Sequence, residues 1–311
     1  MPPATWASRL RAIGPWLVAL LVLAWLFHIV PLDDLRQALA RAPLGWFVGF
    51  VCAAICLTLV LDSFATWVTA RSALPDVPLR FLEVLEVRGA SYLLAVIHYG
   101  VGQGGFAYFV HRRFGVELSR AAGVTMLILG VNVVLVALTA FVGVALGGAP
   151  DTPALRWLVL GLAAAFPAYF AVIAVRPALF TRWGVLRPLF DAGLRGHLIA
   201  VSARTPHLLW LISANFVALR FFGVTPPIGQ ALALIPLVFV VATLPISPSG
   251  LGTAQLTAMA LFAPFAAGAT EDDRRAAVLA ATLGLQFVAL GVQLVLGAFF
   301  LRRMSRRETT T

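Results

Sequence analysis

Between positions 83 and 103 the chain sets Glu83, Glu86, Arg88, His98 and Gln103 into an otherwise apolar stretch. Two carboxylates, a guanidinium and an imidazole can bind a phosphate and move a proton. At about 100° per helical residue, Glu83 and Glu86 lie about 60° apart, whereas Arg88 lies about 160° from Glu86. Arg88 must therefore find its carboxylate or phosphate elsewhere; Asp62, at matching depth in the preceding apolar run, is one candidate, the other reading of Asp62 being a place in the headgroup zone. On a continuous helix His98 falls about 60° from Glu83, which predicts one polar face leading inward. The alternative reading puts both glutamates at the membrane interface and makes His98 an interior histidine. Asn132, Gln255 and Gln286 complete the candidate substrate-binding set. Thr125, Asn132 and Thr139 recur every seven residues, and Thr282, Gln286 and Gln293 share a helix face within about 40°. Such stripes either line a cavity or hydrogen-bond between helices.

These groups sit in a chain of 311 residues that is 61% hydrophobic and 12% charged, with a mean hydropathy of +0.94. A soluble domain carries about twice that share of charge, so the chain reads as an integral membrane protein with no soluble domain. All 23 basic residues are Arg, and the net charge of +10 points to a membrane surface rather than to nucleic acid. Cys52 and Cys56, the only cysteines, fall in one apolar run at i, i+4 and give neither a disulfide framework nor metal-ligand spacing. No His-Glu-x-x-His, Gly-x-Ser-x-Gly or phosphate-loop motif occurs, so no catalytic residue, metal or cofactor is predicted.

The elements that must position these residues are apolar runs at about 12–30, 44–70, 121–147, 154–175, 206–224 and 276–301. Two further apolar regions, about 81–110 and 228–266, are interrupted. One is predicted to break at Tyr99–Gly105, with Gly102, Gly104 and Gly105 shaping the turn. The other is predicted to break at Pro245–Gly252, with Pro248, Ser249, Gly250 and Gly252 doing so. Chain that is not helical at membrane depth must be buried in protein or line a wet cavity, so each break is a candidate re-entrant turn. The competing reading is that the glycines allow close helix packing. Residues 31–43 alternate apolar and charged at helical spacing and suit the outer interface. Residues 176–205 carry five arginines among apolar side chains and read as a cytoplasmic amphipathic helix or as a basic connector.

With both termini cytoplasmic, sixteen arginines, Arg204 among them, fall inside and five outside, while Arg88 and Arg220 lie in or near the membrane. The expected fold is all-α: one polytopic domain over 1–311 with six to eight transmembrane helices. It forms two inverted repeats, about 1–150 and 151–311, each holding a broken element. Paired interrupted segments at corresponding positions point to a transport site.

The stretch Leu244-Pro245-Ile246-Ser247-Pro248-Ser249-Gly250-Leu251-Gly252 resembles a motif of the membrane region of lysylphosphatidylglycerol synthases and their stand-alone, flippase-like relatives. Arg88-Gly89 through Gly104-Gly105 to Arg112-Arg113-Phe114-Gly115 similarly resembles that family's first Gly-Gly element. Ser249 replaces the family's first Gly, Ala254 and Gln255 stand where a charged pair is usual, and Phe106 stands where an acid is usual. The resemblance implies a flippase-like transporter that moves or binds a phospholipid, an aminoacyl-phospholipid or a lipid-linked sugar in a bacterial cytoplasmic membrane. Membrane lipids are its expected partners, with a cytoplasmic lipid-modifying synthase and a homo-oligomer as further ones. Aminoacyl transfer by this chain alone is not expected. The alternatives are a membrane enzyme of lipid or lipid-glycan modification and a non-transporting partner of a cytoplasmic synthase.

Overall fold

The computed structural model describes residues 17, 20–148, 153–183, 186–244 and 246–308; Arg9, Arg11 and Pro245 lie outside them. Every extended element among the described residues is helical. The order is α1 (Leu20–Ile29), α2 (Leu32–Arg41), α3 (Leu44–Ala73), α4 (Phe81–Ala95), α5 (Tyr99–Phe114), α6 (Leu118–Ala145) and α7 (Pro153–Val175). There follow α8 (Ala178–Thr181), α9 (Arg187–Asp191), α10 (Gly193–Arg220), α11 (Ile228–Thr243), α12 (Thr253–Phe262) and α13 (Glu271–Glu308). Helices α3, α6, α7 and α13 are each long and apolar enough to cross a bilayer. The chain is a multi-pass membrane protein.

Helices α3 and α10 form the centre and run antiparallel. Phe47 packs edge-on against Phe222, Trp210 Nε1 donates to the Ala54 carbonyl, and Arg204 reaches Asp62 and Thr66. The sequence puts the fifth span at about 206–224, but α10 begins at Gly193, and this corrects two expectations. Residues 176–205 form no single amphipathic helix; they hold two short helices and the first three turns of α10. Arg204, expected on the cytoplasmic surface, is inside the protein with 1% of its surface exposed.

Each interrupted region is a helical hairpin. In the first, Glu83 at the start of α4 lies 3.8 Å from Arg113 at the end of α5. In the second, Thr225 N donates to the Phe265 carbonyl and Ala267 N to Gly223, which ties the entry of α11 to the exit of α12. Because α3 and α10 are antiparallel and each leads into a hairpin at its C-terminal end, the hairpins enter from opposite ends of the molecule. Their tips meet: Ser249 Oγ donates to the carbonyls of Val96 at 2.5 Å and Ala95 at 3.2 Å.

The first turn is not where glycine spacing puts it. Tyr99–Gly105 is helical, and the chain reverses at Val96–His98, where His98 has φ −165° and caps α5 by accepting from Gly100 N through Nδ1. Gly102 and Gly105 instead bring the arms together, since a Cβ on them would lie 2.6 Å from Ala95 Cβ and 2.3 Å from Leu94 Cδ1. Gly104 faces open space. The second reversal does lie in the Leu244–Gly252 stretch, where Ser249, Gly250 and Gly252 all take positive φ.

Small residues also set two further contacts. The first arm of hairpin one packs on α13 at Gly89 against Phe300 and at Gly297 against Leu93, and the first arm of hairpin two packs on α6 at Gly143 against Ala233. Outside the apolar bundle, Asp76 in the α3–α4 loop accepts from both Nη atoms of Arg120, at 2.9 and 2.7 Å. That hydrogen bonding holds the Asp76 carboxyl below the usual aspartate range. A carboxylate with a lowered folded pKa contributes stability above its unfolded pKa and loses it as pH falls through the folded value. The melting temperatures of wild type and Asp76→Asn are therefore expected to differ at neutral pH and to converge in acid, as scanning fluorimetry across pH 7 to 3 will read. A gap that is constant over that range counts against the ion pair.

Candidate functional site

Asp62 is the nineteenth of the thirty residues of α3, well away from both ends, and a carboxylate at that depth needs a cation. It has two. Arg88 from α4 donates to Asp62 Oδ2 through Nε at 2.7 Å and also through Nη2, and Arg204 from α10 donates to Oδ1 at 2.9 Å. Asp62 is 4% exposed and Arg88 6%. The depth match between Asp62 and Arg88 thus corresponds to a direct ion pair.

Neutral groups complete the cluster. Arg88 Nη1 donates to Gln103 Oε1 at 3.2 Å, and the guanidinium lies 5.1 Å from the centre of the Phe106 ring. Arg204 donates to Thr66 Oγ1 at 3.0 Å and to Asn132 Oδ1 at 3.3 Å, and Asn132 Nδ2 donates to the Tyr99 hydroxyl at 3.1 Å. Five helices, α3, α4, α5, α6 and α10, therefore converge on one carboxylate. The cluster carries two positive charges and one negative, and Arg204 Nε is buried without a hydrogen-bond acceptor. An excess of one cation in a low-dielectric interior is costly, and an anion bound there would relieve it.

Of the predicted residues, Arg88, Gln103 and Asn132 are brought together here. Glu83 and Glu86 are not: Glu83 caps its own helix at Arg80 N and faces Arg113, while buried Glu86 accepts from Arg303 Nε at 2.7 Å. The polar face expected to run from Glu83 to His98 does not form, because α4 ends at Ala95 and His98 begins the next helix. Gln255 Oε1 accepts from Gly252 N at 2.7 Å, and Gln286 Nε2 donates to the Ser249 carbonyl at 3.3 Å, so both brace the second tip. Thr125, Thr139 and Thr282 donate to carbonyls of their own helices rather than to a neighbouring helix. Among the described residues no three His, Cys, Asp or Glu side chains gather as a metal site.

Arg204, Thr66 and Tyr99 were not predicted. The signal for Arg204 is its place in the stripe Gly196, Ala200, Arg204, Leu208 and Ile212, every fourth residue and all buried. An arginine in line with small and apolar residues at that spacing faces the core rather than the headgroups.

Residues 12–297 match the family described as the lysylphosphatidylglycerol synthase TM region. The chain belongs to this family. Membership puts it among membrane proteins tied to lipid modification or transport. Comparison with curated proteins and with solved structures returned no match. Asp62, Arg88, Gln103, Asn132 and Arg204 all fall within the part matched to the lysylphosphatidylglycerol synthase TM region.

Proposed function

We propose that the chain is a flippase-like transporter that passes a phospholipid across the membrane, with the headgroup phosphate taken up by Arg88 and Arg204. One observation carries this reading: a buried pair of arginines shares a single carboxylate beside the point where two hairpins from opposite ends touch. In the closed state Asp62 neutralises one guanidinium charge. The phosphate of an entering lipid adds the second negative charge and accepts from Arg204 Nε and from the guanidinium edges. Separation of the two tips at Ser249 opens the path to either side in turn, with the two halves acting as inverted repeats.

Several features support this reading. The hairpin arms are 15, 16, 16 and 10 residues long, so none exceeds about 24 Å, short of the hydrocarbon core of about 30 Å. Tips that meet from opposite ends suit re-entrant hairpins. The paired contacts of α4 with α13 and of α11 with α6 suit a two-fold relation between the halves. The excess of arginines on one side, even without buried Arg204, supports a reading with both termini cytoplasmic.

The test is Arg204→Gln in proteoliposomes carrying fluorescent phosphatidylglycerol. This substitution keeps the Asp62–Arg88 pair and removes only the surplus charge, so the variant is expected to fold and to flip the lipid at least about tenfold more slowly, the loss of one charged hydrogen bond. Wild-type rates in Arg204→Gln, or no flipping by wild type, would overturn the proposal.

A further inference from the structure

A second place in the molecule has the makings of a lipid site, far from the Asp62 cluster. At the end where hairpin two opens, a cavity of about 630 Å³ lies between α1, α12 and the start of α13. Its walls are largely apolar, with Trp25 and Ile29 on one side and Met259 and Ala260 on the other, and its lining also includes Glu271, Arg274 and Arg275. The two arginines differ. Arg275 is held by Glu271 and lies 3.8 Å from Asp272. Arg274 is half-buried, and its guanidinium has no ion pair or hydrogen bond among the described residues.

We propose that this cavity holds one membrane phospholipid, with its phosphate on Arg274 and an acyl chain between α1 and α12. Charge complementarity sets the headgroup: Glu271 in the same lining is met by Arg275, which leaves Arg274 as the cation that an anionic headgroup can meet. The apolar floor sets the rest, because a hydrocarbon chain fills such walls and a free phosphate leaves them bare. Antiparallel α3 and α10 put this cavity at the opposite end of the bundle from Glu86 and Arg303, so the lipid belongs to the leaflet that hairpin two enters. The site stands independently of transport through the Asp62 cluster.

The experiment is native mass spectrometry of the full chain in detergent, titrated in parallel with phosphatidylglycerol and with diacylglycerol, which lacks the phosphate. Wild type is expected to retain one phosphatidylglycerol about tenfold more tightly than diacylglycerol, the worth of a charge-assisted contact. At this cavity Arg274→Gln should lose that preference, Arg275→Gln should keep it, and Ala260→Trp, whose indole fills the cavity, should retain one lipid fewer than wild type. If Ala260→Trp does not fold, Arg274→Gln decides, since it breaks no ion pair. Equal retention in wild type, Arg274→Gln and Ala260→Trp, or no preference in wild type, would overturn the assignment. A loss confined to these variants while Arg204→Gln retains the lipid separates this site from the core.

Discussion

Asp62→Asn is expected to yield little folded protein. The substitution preserves shape but leaves Arg88 and Arg204, both buried, with no carboxylate between them. Removing one partner of a buried ion pair costs about 3–5 kcal/mol, and here two cations lose the same partner. Net stabilities of folded domains are only about 5–15 kcal/mol. Size-exclusion profiles and melting curves in detergent will read the effect. A neutral combination, Asp62→Asn with Arg88→Gln and Arg204→Gln, removes all three charges, so it is expected to recover most of the melting temperature and none of the lipid movement. A single Asp62→Asn variant that melts like wild type would show that the carboxylate does not hold the two guanidiniums.

The second large effect is expected at the tip of hairpin two. Gly250 has φ +71°, and a Cβ there would lie 2.8 Å from Ala242 Cα and 2.9 Å from Ala242 Cβ on the facing arm. A side chain meets both a left-handed backbone penalty of about 1–2 kcal/mol and an overpacking cost of about 1–3 kcal/mol. The cheapest relief is to shift the tip, which pulls Ser249 away from Val96. Gly250→Trp is therefore expected to insert and run at the correct size while losing flipping altogether. Gly104→Ala is the control: it adds a methyl group facing open space on α5 and should flip at the wild-type rate. Full flipping by Gly250→Trp would remove the tip contact from the mechanism.

These two glycines also show how far composition carries. Gly-rich Gly100–Gly105 and Pro-rich Pro245–Gly252 look equally disruptive on paper, yet only the second, over the described Ile246–Gly252, holds a turn. In the second, Ser249, Gly250 and Gly252 all take positive φ, which a right-handed helix cannot hold, and Pro248 opens only a short 3-10 turn. Glycine merely permits a bend, and in a bundle it equally permits close approach. Gly102 and Gly105 serve the second purpose against Ala95 and Leu94. The actual first turn, Val96-Ile97-His98, contains neither residue type and is closed by the His98 side chain.

Length, hydropathy and arginine counting determined from the sequence alone that the chain is a helical membrane protein with two broken segments, and helical spacing that Arg88 needs a partner from outside its own helix; the sequence leaves open whether Asp62 is embedded. Hydrocarbon supplies no counterion, so an embedded charge must be answered from within the protein. Which group answers it was decided only by the tertiary structure. Arg204 is 142 residues from Asp62, and Arg88 is 26. Helical periodicity fixes the face a residue presents but not the helix that packs on it. The antiparallel crossing of α3 and α10 brings Arg204 to Asp62 and gives the core its surplus positive charge.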